Sequence, residues 1–183
     1  MMPESFARCE PSQKRASAGF TVRAATSGDV PACVALAVAI GLGEPEAWTD
    51  TLEQTVRDGV NRALFVAEAD GAVVGYGRTV RADASADPVG WYLLGVAVSP
   101  QCRRRGIGEA LTRVRMSWVA ERDDQVFYFT HRDNLASLAL HERLGFVELA
   151  RPFVPPGGTP DFAATQKLYV ARLIPPTGSV LPQ

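Results

Sequence analysis

The strongest constraint on the fold is a stretch in which an apolar strand passes through a short turn directly into a helix. The strand is Leu93-Leu94-Gly95-Val96-Ala97-Val98, and the turn carries three consecutive arginines and two glycines before Glu109-Ala110-Leu111 opens the helix. The first N–H groups of a helix have no partner within it, and they lie at the positive end of the helix dipole. The junction therefore predicts a binding site for an anion.

The turn itself, Arg103-Arg104-Arg105-Gly106-Ile107-Gly108, favours phosphate as that anion. Glycines lack a Cβ, so the backbone can approach a phosphate closely, and arginines add charged, forked donors. A Walker loop is excluded because Glu109-Ala110 stands where Lys and Ser or Thr are required, and the dinucleotide pattern G-x-G-x-x-G is absent. The spacing that remains is R-x-x-G-x-G, with Arg103, Gly106 and Gly108 at its fixed positions.

A second motif follows after a predicted helix and strand. Asn134, Ser137, Leu140, Gly145 and Phe146 match the pattern N-x-x-A/S-x-x-L-Y-x-x-x-G-F, and His141 stands where that pattern has Tyr. Asn134 and Gly145 would also suit any helix, as an N-cap and a helix stop. Together the two motifs resemble the GNAT superfamily of N-acyltransferases, and the resemblance covers roughly residues 20–173.

This resemblance implies an α/β (α+β) fold. A central, mixed, mostly antiparallel and twisted sheet carries helices on both faces, and two parallel central strands splay apart. Asp70-Gly71 predicts a hairpin turn, and the nearly continuous apolar run 91–98 predicts a strand covered on both faces. The predicted strands are 20–24, 64–69, 73–80, 91–98, 126–130, 146–150 and 167–173, and the predicted helices are 30–40, 48–60, 106–122 and 134–144.

The length of 183 residues predicts one domain with a sizeable core, which we place at 20–173 between a flexible leader (1–19) and a flexible tail (174–183). No apolar run approaches the roughly 20 residues that span a bilayer, and the N-terminus lacks the apolar segment of a secretion signal. We therefore expect a soluble, cytoplasmic protein without a membrane partner. The three cysteines and two histidines lack metal-ligand spacing, so we expect no metal site.

Charge is distributed unevenly along the chain, although the net charge is only −1. Residues 24–61 hold six acids and one base, whereas residues 102–122 hold six arginines and two glutamates. Without an overall positive charge or interleaved aromatic residues, the arginines do not predict nucleic-acid binding. The sequence instead predicts a site with an acidic part and a basic part.

The resemblance implies that acetyl-CoA, as co-substrate, binds along the strand and the Arg/Gly turn. By position, the backbone of Val96 and Val98 would pair with pantetheine, and the N–H groups of the turn would bind the pyrophosphate. An N–H near Val96 or Ala97 would polarise the thioester carbonyl, which an amine would attack directly. The cofactor-binding residues implied in this way are Val96, Ala97, Val98, Arg103, Arg104, Arg105, Gly106, Ile107, Gly108, Glu109, Asn134 and Ser137.

The candidate catalytic residues implied by the resemblance are not the family's usual residue types. His141 occupies the position of the tyrosine that protonates the CoA thiolate, and a neutral imidazole N–H could donate to the sulfur; it could equally be a surface histidine. His131, at the end of the preceding strand, is a weaker candidate. Tyr92 stands where the family often has a glutamate base, and it is expected to line the acceptor site. The expected base is therefore a water molecule that passes the proton on to an acidic residue.

The family binds its acceptor largely through the loop and helix after the first helix, here Gly43 to Asp58. Acids there favour a small-molecule amine that is cationic, and Trp48 could stack on a sugar or cation. The acids would also suit a solvated helix face, and Trp48 would also suit a core contact. The strand and turn are loosely similar to aminoglycoside-modifying members, so an aminoglycoside-type antibiotic is the favoured acceptor. The acceptor-binding residues implied here are Glu44, Glu46, Trp48 and Asp50.

Three alternatives to that acceptor and activity remain open at this point. The acceptor could be a polyamine or another metabolite, or it could be a protein N-terminus. The domain could instead be a non-catalytic acyl-CoA sensor, because the family's tyrosine and strand glutamate are absent. A homodimer is possible, since many members of the family dimerise through their late strands.

Overall fold

The computed structural model describes residues 19–42, 44–159, 161 and 164–175. Two short 3₁₀ helices, Ser27–Asp29 and Pro100–Cys102, accompany the main elements. Among the described helices, none has both the length and the apolar character needed to cross a bilayer. The strands are β1 (Thr21–Ala24), β2 (Arg62–Ala69), β3 (Ala72–Ala82), β4 (Gly90–Val98), β5 (Gln125–His131), β6 (Val147–Glu148) and β7 (Gln166–Arg172), and the helices are α1 (Val30–Ala39), α2 (Pro45–Arg57), α3 (Ile107–Ala120) and α4 (Leu135–Arg143).

The seven strands belong to one sheet in the order β1-β2-β3-β4-β5-β7-β6. β1 with β2, β2 with β3, β5 with β7 and β6 with β7 pair antiparallel, whereas β4 pairs with β5 in parallel at Tyr92 and Phe127. Asp70 and Gly71 both have positive φ, at 51° and 75°, as the predicted hairpin requires. The element order and the mixed sheet confirm the predicted fold class.

Several predicted boundaries differ from the observed ones. α2 begins three residues earlier than predicted, because Pro45 occupies the first helical turn after an extended Glu44, and it ends at Arg57 ahead of Asp58-Gly59. The predicted strand 146–150 is reduced to the two residues of β6. The predicted leader, apart from Gly19, lies outside the described residues, as do Gly43 and positions 176–183 of the predicted tail.

The described residues of Lys14–Val80 and Leu94–Arg115 form one compact unit, which we call the N-terminal unit. Its core joins α1 and α2 to β2 and β3, and it includes the buried side chains of Leu52 and Tyr76. Residues of β3 alternate between two faces, so that Tyr76 packs into this core whereas Gly75 and Gly77 approach α3. Within this unit, β3 therefore has helices on both faces.

The described residues of Arg81–Leu93 and Met116–Gln183 form a second compact unit, the C-terminal unit. Its core is rich in aromatic contacts: the rings of Trp91 and Trp118 meet edge to face with centroids 5.0 Å apart. The guanidinium of Arg122 lies 3.7 Å over the Trp118 ring. The domain predicted at 20–173 includes residues of both units.

A buried carboxylate fixes the entry into α1. Asp29 is 8% exposed, and its two oxygens accept hydrogen bonds from both terminal nitrogens of Arg23 at 2.8 Å. One of them also accepts from the Thr26 N–H at 2.7 Å, while Arg23 reaches on to Glu68. Hydrogen bonds from Arg23 hold the pKa of the Asp29 carboxyl well below its usual range. The segment between β1 and α1 therefore depends on a charged Asp29.

We predict that Asp29→Asn lowers the free energy of unfolding at pH 7 by about 1.5–3 kcal/mol, since hydrogen bonds to charged groups contribute that much. A carboxyl with a lowered pKa in the folded state stabilises the fold above the unfolded pKa, about 4, and this stabilisation is lost as the pH falls below it. Urea unfolding at pH 7, 5 and 3 measures the difference between the two proteins. The difference in the free energy of unfolding should have its full size at pH 7 and 5 and should be smaller at pH 3.

The matched control for this prediction is Glu53→Gln, which removes an exposed carboxylate from an ion pair with Arg57 within one helix. Such pairs contribute at most about 0.5 kcal/mol, so this variant should unfold almost as the wild type does. A difference between Asp29→Asn and wild type that is the same at all three pH values would contradict the role given to the charge.

Candidate functional site

The Arg/Gly turn adopts the backbone conformation that an anion site needs. Arg104 has φ of 62° and Gly106 has φ of 82°, so two of three consecutive residues are left-handed. A left-handed arginine is an uncommon and costly conformation, and such strain concentrates at functional sites. Left-handed residues can also turn successive N–H groups towards one side, which makes a concavity for anions.

The start of α3 lies directly after this turn. Ala110 N–H bonds to the Gly106 carbonyl at 2.9 Å, so the first turn of the helix, with the positive end of its dipole, begins at Gly106. Among the described residues, no heavy atom lies within 4 Å of the position that a Cβ at Gly106 would take. Arg103, Arg104 and Arg105 are all exposed. This arrangement, a helix start with three exposed arginines and open space beside Gly106, fits the pyrophosphate of a coenzyme A derivative.

The second half of β4 departs from the expectation that both faces are covered. Trp91, Tyr92 and Leu93 are buried, but Gly95 is exposed and its neighbours Leu94 and Val96 are only half-buried. Gly95 has φ of 46° in the middle of the strand, a left-handed conformation that bends a strand and breaks the alternation of its carbonyls. The prediction that both faces are covered is therefore wrong at Leu94, Gly95 and Val96, where the backbone turns, although Ala97 is buried again.

A buried arginine on α3 lies beneath this bend, and it is not among the site residues that the sequence predicts. Arg115 is 1% exposed; its Nε donates to the Leu111 carbonyl at 3.0 Å and its Nη2 to Thr112 Oγ1 at 3.2 Å. Burial lowers the pKa of Arg115 to about 9, so the guanidinium is charged at neutral pH. The available signal was its position four residues after Leu111, on the buried face of α3.

The predicted acceptor-binding acids lie on and beside α2, in the same unit as the Arg/Gly turn. Glu44, Glu46 and Asp50 are exposed, and within the described part of the chain none of them is recorded in an ion pair. Trp48 is half-buried, and its Nε1 donates to the Leu42 carbonyl at 2.7 Å. The Arg78 guanidinium lies 5.0 Å from the centre of its ring, so the chain already supplies Trp48 with a cation.

His141 lies in the C-terminal unit and is not a surface histidine, because only 5% of it is exposed. Its ring stacks parallel on Tyr128, with centroids 3.6 Å apart and an interplanar angle of 6°. Its Nδ1 lies 2.8 Å from the Ser137 carbonyl, which can only accept, so Nδ1 carries the proton. Protonation of a thiolate by this ring would therefore have to come from Nε2 of the imidazolium form.

Other predicted residues of the C-terminal unit have structural partners. Asn134 caps α4 by accepting from the Ser137 N–H, and it donates to Thr130 Oγ1, each at 3.2 Å. His131 is exposed, with Nδ1 3.3 Å from an Asp133 carboxylate oxygen. Tyr92 is fully buried, and its hydroxyl donates to the Pro88 carbonyl at 2.6 Å, so it offers no exposed surface as a wall. The binding and catalytic roles of these residues stay predictions.

Comparison with known proteins gives relatives in both sequence and structure. A mycothiol acetyltransferase from Tsukamurella paurometabola is 38% identical over 85 residues, 46% of this chain and 28% of that protein. Another, from Frankia casuarinae, is 31% identical over 152 residues, 75% of this chain and 44% of that protein. The chain thus spans less than half the length of these relatives.

Solved structures agree with the fold. The ribosomal-protein-alanine N-acetyltransferase from Brucella melitensis superposes with a TM-score of 0.63 at 27% identity, over 84% of this chain and 99% of that chain. The sequence model of the acetyltransferase (GNAT) family, whose members use acetyl-CoA, matches residues 34–146, a stretch that includes both the Arg/Gly turn and the helix of His141. The chain described here therefore belongs to the GNAT acetyltransferase family.

Proposed function

We propose that this chain transfers the acetyl group of acetyl-CoA to a primary amine of a small cationic acceptor. The observation that carries the proposal is the Arg/Gly turn, where left-handed Arg104 and Gly106 stand directly before the first turn of α3. The N–H groups of this turn, at the positive end of the helix dipole, and the exposed guanidinium groups would hold the pyrophosphate. The bent second half of β4, in the same unit, would then carry the main-chain groups that meet the pantetheine and the thioester.

The reaction follows from these assignments. The amine nitrogen, once neutral, attacks the thioester carbonyl carbon, the negative charge collects on the carbonyl oxygen, and an N–H near Val96 stabilises it. The C–S bond then breaks, the ammonium proton passes to solvent, and the CoA thiolate gains a proton. Holding both substrates in one orientation supplies a large part of the rate. His141 remains the proposed proton donor, as the imidazolium.

The acceptor proposal rests on charge. Glu44, Glu46 and Asp50 are exposed carboxylates on one helix and its lead-in, and they would attract a polycationic molecule. An aminoglycoside-type antibiotic remains one candidate within that class. The names of the relatives add a mycothiol-type acceptor, and the name of the ribosomal-protein-alanine N-acetyltransferase favours the protein N-terminus among the alternatives already open. Mycothiol-type acceptors are favoured over peptides by the higher sequence identity of those relatives.

A non-catalytic acyl-CoA sensor is the alternative from another class. Tyr92 replaces the family's strand glutamate and is buried with its hydroxyl occupied, so it supplies no base. A sensor would bind acetyl-CoA without releasing thiol. The two proposals therefore differ in turnover and agree in binding.

The first test is release of CoA thiol from acetyl-CoA in the presence of a panel of aminoglycosides, polyamines, short peptides and deacetylated mycothiol. A chromogenic thiol reagent follows the reaction, and mass spectrometry of the acetylated product replaces it for acceptors that carry a thiol themselves. We expect turnover with at least one cationic amine. Binding of acetyl-CoA with no acetylated product from any acceptor would favour the sensor.

The acidic residues are tested with the best acceptor of that panel. Combined Glu44→Gln, Glu46→Gln and Asp50→Asn should raise the KM for the acceptor at least about tenfold, since three attractive charges are removed, while the KM for acetyl-CoA stays unchanged. An unchanged acceptor KM would remove these residues from the acceptor site.

The Arg/Gly turn is tested by Gly106→Ala. A Cβ at φ of 82° strains the turn and displaces its N–H groups, so we expect the dissociation constant for CoA to rise at least about tenfold, which corresponds to 1.4 kcal/mol. Calorimetry with CoA measures it. The matched control is Gly71→Ala, which places a Cβ at nearly the same φ, 75°, in the β2–β3 hairpin. Equal losses in both variants would mean that strain, not the turn, weakens binding.

The role of His141 is tested by His141→Phe, which keeps a ring to stack on Tyr128 and removes both nitrogens. If the imidazolium protonates the thiolate, turnover should fall at least about tenfold, because general acid catalysis typically contributes about 10² to 10⁴-fold. The KM for acetyl-CoA and the unfolding temperature should change little. Unchanged turnover would leave His141 as a buried core residue.

A further inference from the structure

The carbonyls around the bend of β4 point in an unusual direction. In a regular strand, successive carbonyls alternate between opposite sides. Here the carbonyls of Leu94 and Gly95 both accept from the same nitrogen, Arg115 Nη1, at 3.4 Å each. The positive φ of Gly95 makes this possible, because it rotates one peptide plane relative to the next. Arg115 and the bend therefore belong to one arrangement within the N-terminal unit.

The same geometry fixes the donors on the other side of these peptides. A trans peptide holds its C=O and N–H antiparallel, so a carbonyl tied to Arg115 directs the N–H of the next residue away from it. The Leu94 carbonyl thus orients the Gly95 N–H, and the Gly95 carbonyl orients the Val96 N–H. Two successive N–H groups that face one way form an anion-binding nest. The charged guanidinium also polarises both peptides, which strengthens those donors.

The guanidinium is held in place from three other directions. Nη1 also donates to the Arg78 carbonyl at 2.9 Å, and Nε and Nη2 are bonded within α3. Gly77 leaves the space for it: a Cβ there would stand 2.9 Å from Arg115 Nε and 3.0 Å from Cζ. Among the described residues, the hydrogen-bond acceptors around this buried cation are four backbone carbonyls and one hydroxyl, all neutral. Burying a charged group without a carboxylate partner costs free energy of folding, so a contribution to stability does not explain why Arg115 is buried here.

We propose that Arg115 is a positioning residue for acetyl transfer, which holds the bend of β4 so that the Gly95 and Val96 N–H groups face the thioester oxygen. This inference rests on the proposed function. It adds a specific prediction: the guanidinium never touches acetyl-CoA, yet it sets the strength of the oxyanion donors. Loss of Arg115 should therefore lower the rate of the chemical step and leave binding of the coenzyme almost intact.

The test is Arg115→Met, which keeps most of the side-chain volume and removes the charge and the donors. With the best acceptor of the panel we expect kcat to fall about 10² to 10³-fold, as for loss of an oxyanion donor, while the dissociation constant for CoA changes less than threefold. Arg115→Lys should restore part of kcat, because it returns a charge without the forked donors. The control is Arg172→Met, which removes an exposed arginine paired with Asp124 and should leave kcat unchanged.

A spectroscopic readout separates positioning from a merely structural role. Acetyl-CoA labelled with ¹³C at the thioester carbonyl is bound to each variant, and the infrared carbonyl stretch is compared with that of free acetyl-CoA. We expect a shift to lower frequency in wild type and a smaller shift in Arg115→Met. An equal shift and an equal kcat in the two proteins would overturn the inference.

Two further outcomes are distinguishable. If Arg115→Met does not fold, Gly77→Ala serves as the test variant, because its Cβ displaces the guanidinium without removing the charge. A lowered kcat in Gly77→Ala supports the inference. An unchanged kcat together with a carbonyl shift equal to that of wild type overturns it. If wild type neither binds CoA nor transfers acetyl to any acceptor, the proposed function fails. If wild type is active and Arg115→Met equally so, only the role of Arg115 fails.

Discussion

The close approach of α3 to β3 is the constraint on which the N-terminal unit depends. A Cβ at Gly75 would stand 2.9 Å from the Ala97 carbonyl and 3.2 and 3.3 Å from the side chains of Ile107 and Leu111. At Gly77 it would meet the guanidinium of Arg115. A larger residue at Gly75 would push the helix or the next strand away, and one at Gly77 would displace the guanidinium. The start of α3, and with it the Arg/Gly turn, lies where it does because β3 presents two glycines to the helix.

That packing also explains how one unit separates its charges. One face of β3 carries α3, whose preceding turn bears three exposed arginines, and the other face carries the core of α1 and α2. The exposed acids lie on α2 and its lead-in. Opposite charges thus come from elements packed on opposite faces of one strand, so neither set neutralises the other by direct pairing. Such a distribution suits two substrates of opposite charge.

Local patterns predicted most of the fold. Asp70-Gly71 is sufficient for the hairpin because only left-handed residues fit that turn, and R-x-x-G-x-G correctly marks the junction with α3, whose first two residues are Ile107 and Gly108. Burial was harder to predict, because it depends on which face of the sheet a side chain meets. Tyr92 was expected at the acceptor and lies in the core, whereas Arg115 belongs to a cationic stretch and is buried beneath β4. Trp48 faces Arg78, a neighbour that is distant in sequence.

The bend at Gly95 and the contact at Gly75 have different consequences for how this sequence can diverge. Among the described residues, no heavy atom lies within 4 Å of a Cβ built at Gly95, so only its left-handed backbone restricts the choice. Asn or Asp, which adopt that conformation more readily than other residues, could occupy the position in descendants of this protein. At Gly75 the obstacle is space, and no side chain relieves it. Lineages of this chain should therefore vary at the bend while they keep the glycine beneath the helix.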